Sequence, residues 1–206
     1  MPSPISQTIL ERAIPADTTT ERVLAGALAQ FEDFGIRRTT MEEVARRAGV
    51  SRVTVYRRFP GKERLVEAVV LWEAQRFFAE LEGAVARLDS VEDRIVEGFA
   101  RTLAAAREQR LLNRLMRTEP EILLPHLTTE GGPVLAAGRA FLARQMRLAG
   151  SDVPPRETDA VAELVARLVL SFLLTPDSAV KLESPLEARR FARRYVVPLM
   201  TGTATG

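Results

Sequence analysis

The stretch richest in usable chemistry is GVSRVTVYRRFPGKERL, Gly49–Leu65, in which Arg52, Arg57, Arg58, Lys62 and Arg64 surround a single tyrosine, Tyr56. Guanidinium and ammonium groups at this density attract anions, and a planar guanidinium can pair bidentately with a phosphate or with the edge of a guanine. Over the wider segment Ile36–Arg64, nine basic side chains face only Glu42, Glu43 and Glu63, a local charge of +6. The whole chain carries +2, so the remainder carries −4. A basic module on a mildly acidic body implies a polyanionic partner for the module; the bland alternative is a solvated charged face.

What must position these groups is a set of short helices. By local preference Val53-Thr54-Val55-Tyr56 reads as a strand. Its surroundings overrule that reading, because a four-residue strand among helices would have nothing to pair with. Upstream, Thr18-Thr19-Thr20-Glu21 supplies capping residues to a helix in which Val23, Leu24, Ala27, Leu28, Phe31 and Phe34 recur at helical spacing, and Gly35 ends it. Thr40 with Glu43 forms a capping-box pattern ahead of a short helix with Val44, Ala45 and Ala48 as its apolar stripe, closed by Gly49. Ser51 can cap a third helix starting at Arg52. Two short helices joined by a Gly turn form a helix-turn-helix.

After Pro60-Gly61, the longest helical pattern runs from Lys62 to Leu88 and connects the basic module to a larger domain. Further helices are expected at about Val91–Gln109, Leu111–Arg117, Glu121–Leu127, Val134–Ala149, Glu157–Thr175 and Leu186–Leu199. Breaks are expected at Pro120, Pro125, Gly131-Gly132-Pro133, Gly150 to Pro155 and Thr175 to Pro185. No segment alternates at period two, so the chain reads as all-α. It divides into an arm at 1–17, a helix-turn-helix domain at 18–65, a larger helical domain at 66–200, and a tail at 201–206.

In a helix-turn-helix the second helix enters the DNA major groove. With Val55 and Phe59 facing inward, the other side of that helix exposes Arg52, Val53, Tyr56 and Arg57. Arg52, in the first turn, sits where base edges are read. Val53 is either a small extra core contact or an apolar contact to a thymine methyl. Thr54 can donate to a base or a phosphate, and the Tyr56 hydroxyl can reach a phosphate oxygen. Arg58, Lys62 and Thr40 suit the phosphate backbone. Arg37, Arg38, Arg46 and Arg47 are either a solvated rim or direct contacts.

The segment TTMEEVARRAGVSRVTVYRRFPGKERLVEAVV closely resembles the DNA-binding domain of the TetR family of bacterial transcription regulators. The resemblance covers roughly Thr20–Val70. It rests on Phe34-Gly35, Thr40, the run from Ala45 to Ser51, Thr54, Tyr56 and Phe59, and Lys62 with Leu65. It implies a homodimer that binds a near-palindromic double-stranded DNA operator, usually as a repressor, and whose C-terminal helical domain takes a small-molecule effector. It also implies base contacts from Arg52, Val53, Thr54 and Arg57, and phosphate contacts from Thr40, Tyr56, Arg58 and Lys62.

The body is less legible. The patterns near 157–175 and 186–199 read as dimer-forming helices, with intramolecular core as the alternative. Trp72, Phe99, Leu103, Leu115, Met116 and Phe141 are candidate pocket side chains, and any of them can equally be core. His126, the sole histidine, stands in a loop-like stretch and is assigned no chemistry. The chain has no cysteine, His pair, Gly-rich phosphate loop or Gly-x-Ser-x-Gly nucleophile, so neither enzyme activity nor a metal or cofactor is expected. The start shows no secretory pattern and the longest apolar run is far too short to span a bilayer, so a cytoplasmic location without membrane association is expected. The competing function is a helical adaptor that binds only proteins, and salt-sensitive, sequence-specific DNA binding separates the two.

Overall fold

A computed structural model describes residues 17–202, and no strand occurs among them. Helices run at α1 Thr18–Phe34, α2 Met41–Ala48, α3 Arg52–Arg58, α4 Lys62–Val85, α5 Val91–Glu108, α6 Arg110–Thr118, α7 Pro120–Leu127, α8 Gly132–Leu148, α9 Pro155–Leu174, α10 Pro185–Phe191 and α11 Val197–Thr201. A π-helical segment, Ala192–Val196, joins the last two. The all-α reading therefore stands, as does the helical conformation of Val53–Tyr56. No described helix is long and apolar enough to cross a membrane. The expected arm lies outside the described residues except for Asp17, and the tail except for Thr201 and Gly202.

Several boundaries differ from expectation for identifiable reasons. α1 starts earlier than the Thr18–Thr20 cap implied. Asp17 is the cap, accepting from the Thr19 and Thr20 amides at 3.0 and 2.9 Å, as an extended aspartate before a helix does. α4 stops at Val85 rather than Leu88. Pro125 does not break the chain but sits inside α7, so His126 belongs to a helix rather than a loop. In so short a helix a proline removes a single backbone bond. The expected helix at Leu186–Leu199 is continuous but contains a wide turn. Pro198 has no N–H for the carbonyl four residues back, and the Val197 amide bonds to Ala192 instead.

The described chain forms two compact units, one of residues 17–77 with Gln109–Pro125, the other of Phe78–Glu108 with 126–202. In the first, α1 contributes Val23, Leu24, Ala27 and Phe31 to the core. α2 adds Val44, Ala45 and Ala48, α3 adds Val55, α4 adds Leu65 and Val69, and α6 adds Leu111 and Leu115. Three-residue and four-residue spacing puts each set on one helix face. The second unit packs Phe99 and Leu103 of α5, Met146 of α8, Ala162 and Val165 of α9, and Ala188 to Met200 of the last helix. An aromatic run, Phe172 edge-on to Phe191 at 5.4 Å and Phe191 stacked on Phe99 at 5.6 Å, knits that core.

A candidate nucleic-acid interface

α2 and α3 are locked at a fixed turn. The Thr40 hydroxyl accepts from the Glu43 amide while the Glu43 carboxylate accepts from the Thr40 amide at 2.8 Å, completing the expected capping box. That backbone N–H holds the Glu43 carboxyl below its ordinary range. Gly49 adopts the left-handed conformation, φ 65°, that a Cβ disfavours, and ends α2. The end is secured from α1, whose Arg22 guanidinium donates to the Ala48 and Gly49 carbonyls at 2.7 and 2.9 Å. Ser51 caps α3 by accepting from the Thr54 amide at 3.1 Å.

α3 buries Val55 completely, and Phe59 just beyond it, against the core of the first unit. Its outer face presents Arg52, Val53, Tyr56 and Arg57 to solvent. Val53 is 75% exposed, so the core-contact alternative does not hold for it. Tyr56 is 39% exposed, and the Arg52 guanidinium lies over its ring, 5.2 Å from the centroid. Arg52 Nε also donates to Glu42 at 2.7 Å. Between such exposed groups an ion pair is worth less than about 1 kcal/mol, so a stronger anionic partner can displace it. The Thr54 hydroxyl shares a hydrogen bond with Ser51 Oγ.

Three of the expected phosphate ligands are already engaged, Thr40 through its hydroxyl, which donates to the Glu43 carboxylate at 2.8 Å. Arg58 Nη1 donates to Asp17 Oδ2 and to the Thr20 hydroxyl, at 2.5 and 2.6 Å, which fixes the start of α1. Accepting from the Thr20 backbone N–H above all, with further help from Arg58, keeps the Asp17 carboxyl ionised below its ordinary range. Lys62 Nζ donates to the carbonyls of Ile36, Arg37 and Thr39 at 3.0, 3.1 and 3.2 Å. An ammonium has three protons, so this set uses them all. Arg37 pairs with Glu121 and Arg47 with Asp33, at 2.8 and 2.7 Å. Arg38 and Arg46 are exposed.

The six candidate pocket side chains do not fall in one unit. Trp72, Leu115 and Met116 belong to the first, and Phe99, Leu103 and Phe141 to the second. Phe99 and Leu103 are buried core, and Phe141 stacks on Phe78 at 4.9 Å. In the same second unit the suggested dimer helices leave large apolar groups outside, with Leu164 of α9 58% exposed and Leu186, Tyr195 and Leu199 also out.

Sequence reasoning missed Asp17, Arg22 and Glu119 as structural parts of the interface. Asp17 had a visible signal, an aspartate directly before a Thr-Thr-Thr-Glu helix start. Glu119 had none. It bonds to backbone amides of Ile36 and Arg37, 83 and 82 residues away in sequence.

Against known proteins, residues 23–69 match the family described as bacterial regulatory proteins, tetR family. Residues 91–191 match the bacterial tetracycline repressor C-terminal domain. An uncharacterized HTH-type transcriptional regulator of Mycobacterium bovis is 38% identical over 81 residues, 36% of this chain and 43% of that protein. The matched stretch thus spans less than half of that relative. The HTH-type transcriptional regulator AlkX of Mycobacterium tuberculosis is 25% identical over 142 residues, 68% of this chain and 67% of that protein. Among solved structures, the TetR family repressor AlkX from a Dietzia strain, implicated in biodegradation of n-alkanes, superposes with a TM-score of 0.70 at 22% identity, covering 91% of this chain and 97% of that one. With both halves matched by family descriptions and the helix-turn-helix built as above, the chain belongs to the tetR family of bacterial regulatory proteins.

Proposed function

We propose that the protein is a ligand-responsive transcriptional repressor that binds a near-palindromic DNA operator as a homodimer. The observation that carries this reading is the outer face of α3. Arg52, Val53, Tyr56 and Arg57 are presented together on a helix whose opposite face, Val55 and the following Phe59, is sealed in the core. A merely solvated surface has no use for an exposed valine between arginines, whereas a major groove offers thymine methyls and guanine edges side by side.

In this reading Arg52, Val53, Thr54 and Arg57 contact bases, and Thr40, Tyr56, Arg58 and Lys62 face phosphates. Because Lys62 spends all three donors inside the unit and Arg58 is tethered there through Nη1, direct contact costs Lys62 an internal bond and leaves Arg58 only its other nitrogens. Their main share is the rigidity of what they hold. Dimerisation is assigned to α9 and the helix from Pro185 to Thr201, whose exposed Leu164, Leu186, Tyr195 and Leu199 supply an apolar face. The effector is assigned to the second unit, where Phe99, Leu103 and Phe141 offer an apolar environment. An apolar effector fits those side chains, and AlkX-named relatives recur in both sequence and fold comparisons. The domain division at about 65 and a cytoplasmic location complete the proposal.

The test is selection of bound fragments from the source genome by the purified chain at physiological salt, followed by sequencing. A recovered two-fold motif supports the repressor reading. Binding without a motif that vanishes as salt rises leaves only non-specific phosphate contacts and favours the protein-binding adaptor.

A further inference from the structure

The turn between α1 and α2, Gly35–Thr39, ends at Thr40, the residue that caps α2 and stands in the proposed phosphate set. Its backbone groups are held from two sides. On the carbonyl side, Lys62 takes Ile36, Arg37 and Thr39, and the Thr39 hydroxyl donates to the Gly35 carbonyl at 2.7 Å. On the amide side, the Gly35 and Thr39 N–H groups bond to the Phe31 and Ile36 carbonyls, and one side chain from outside the turn takes the two amides between them. Glu119 Oε2 receives the Ile36 and Arg37 amides at 3.0 and 3.2 Å. Glu119 is only 7% exposed. It is the residue at which α6 ends, its own amide bonded to the Leu115 carbonyl at 2.9 Å. The site is shaped for it: Gly35, at φ 84°, has no side chain, and a Cβ there would run into the carboxylate.

A second group borders the same space. Arg114, five residues back on α6, has its Nε 3.7 Å from where a Gly35 Cβ would stand, while the Glu119 carboxylate carbon is 3.2 Å from that point. This Nε is buried and has no hydrogen-bond partner. A buried orphan donor beside a buried carboxylate that is bonded elsewhere is an arrangement with two solutions. Turned with Oε2 onto the two amides, the Glu119 carboxylate leaves that Nε unbonded, and a charged donor left unbonded raises the energy of the present arrangement.

We propose that Glu119 is a positioning residue with two alternative partners, the Ile36 and Arg37 amides and the Arg114 guanidinium, and that its exchange between them sets the turn leading into Thr40. With Glu119 on the amides the turn is clamped from both sides and α2 is held in one position. With Glu119 on Arg114 the turn keeps its Lys62 and Thr39 bonds and loses the clamp on the Ile36 and Arg37 amides. Glu119 and Arg114 come from the segment matched to the C-terminal family domain, so events felt by that segment gain a route to the DNA-facing helices. A two-state element biased by both ends is what such coupling requires. The link to operator affinity rests on the repressor reading above; the partner exchange does not.

Hydrogen–deuterium exchange of the full chain, resolved at the Ile36 and Arg37 amides, tests the exchange directly. Glu119→Ala is expected to speed both amides on the order of tenfold, while Val44 and Val55 stay protected. Should Glu119→Ala unfold the unit, so that Val44 also exchanges, the isosteric Glu119→Gln carries the test with a smaller acceleration at the same two amides. Arg114→Leu removes the competitor and is expected to slow them about threefold. A static cap would leave the Arg114 variant unchanged, and that result overturns the proposal, as does unchanged Ile36 and Arg37 exchange in both Glu119 variants. On a fragment recovered by the genomic selection, Arg114→Leu is expected to bind tighter and Glu119→Gln weaker. Shifted exchange with unshifted affinity overturns the transmission to DNA. Failure of the wild-type chain to bind any sequence instead removes the repressor reading alone, since the amide exchange is read without DNA.

Discussion

Lys62→Met separates two roles that a lysine at this position can play. Methionine keeps the aliphatic stem and removes only the three donors. Hydrogen bonds from a charged donor are worth about 1.5–3 kcal/mol each in net terms, but three bonds from one ammonium do not add. The Arg37 carbonyl is on the exposed side and is rehydrated when Lys62 goes. The Ile36 carbonyl keeps its bond from the Thr39 amide at 3.3 Å. The part-buried Thr39 carbonyl is the one that loses most. The loss is therefore about 2 kcal/mol rather than the sum of three bonds, which for a chain of this size lowers the melting temperature by about 4–8 °C. Differential scanning calorimetry gives that shift, and fluorescence anisotropy on a selected fragment at several salt concentrations gives the slope of log K against log [salt]. The expected result is a lower melting temperature with the slope unchanged. An unchanged melting temperature together with a slope reduced by about one per subunit would refute the reasoning and make Lys62 a phosphate ligand first.

Three other outcomes follow from the same geometry. Arg52→Ala is expected to weaken operator binding by ~1–3 kcal/mol and to relax base preference at one position per half-site; uniform loss with unchanged preference in a mutated-operator panel would remove Arg52 from base reading. Tyr56→Phe is expected to weaken binding while the melting temperature stays within a degree or so, because the side chain stands on the exposed outer face of α3; a large thermal shift would place that hydroxyl in the fold. The Glu97 carboxyl is held below its ordinary range, chiefly by its hydrogen bonds from Arg189. A depressed carboxyl contributes stability that is full above its unfolded value and is lost as pH falls through the folded one. Glu97→Gln should thus flatten the decline of urea-denaturation midpoints below about pH 5, and a decline as steep as the wild type's would show that this ion pair carries none of it.

How far the sequence reaches is clearest where local and distant signals meet. Thr40 with Glu43, Gly49, Ser51 and the Val55/Phe59 spacing are each decided within four residues of themselves, and the structure has them as read. Capping, left-handed glycine and helical periodicity are local physics, so one chain suffices to see them. Val53 shows the next level. With Val55 and Phe59 inward it lies on the outer face, but a small residue there can still touch a neighbouring element, and only its 75% exposure removes that alternative. Pro125 and the wide turn before Pro198 fail in a different way, because a proline inside a helix is tolerated or not according to what surrounds the carbonyl it orphans.

Arg58, Lys62 and Glu119 mark the real limit. A basic residue near a recognition helix has the same appearance in sequence whether it meets a phosphate or a carbonyl, and the choice depends on which acceptors the fold brings within 3 Å. For Lys62 those acceptors lie 23 to 26 residues upstream, and for Glu119 the donors lie more than eighty away. No periodicity connects such positions. The consequence for function is specific. Charge counted along the basic segment overstates what is free to meet DNA, because two of its strongest members are spent holding the turn and the start of α1. The side chains left to read a groove are those on the outer face of α3, and the ones that decide how well they are aimed include a glutamate from the far end of α6.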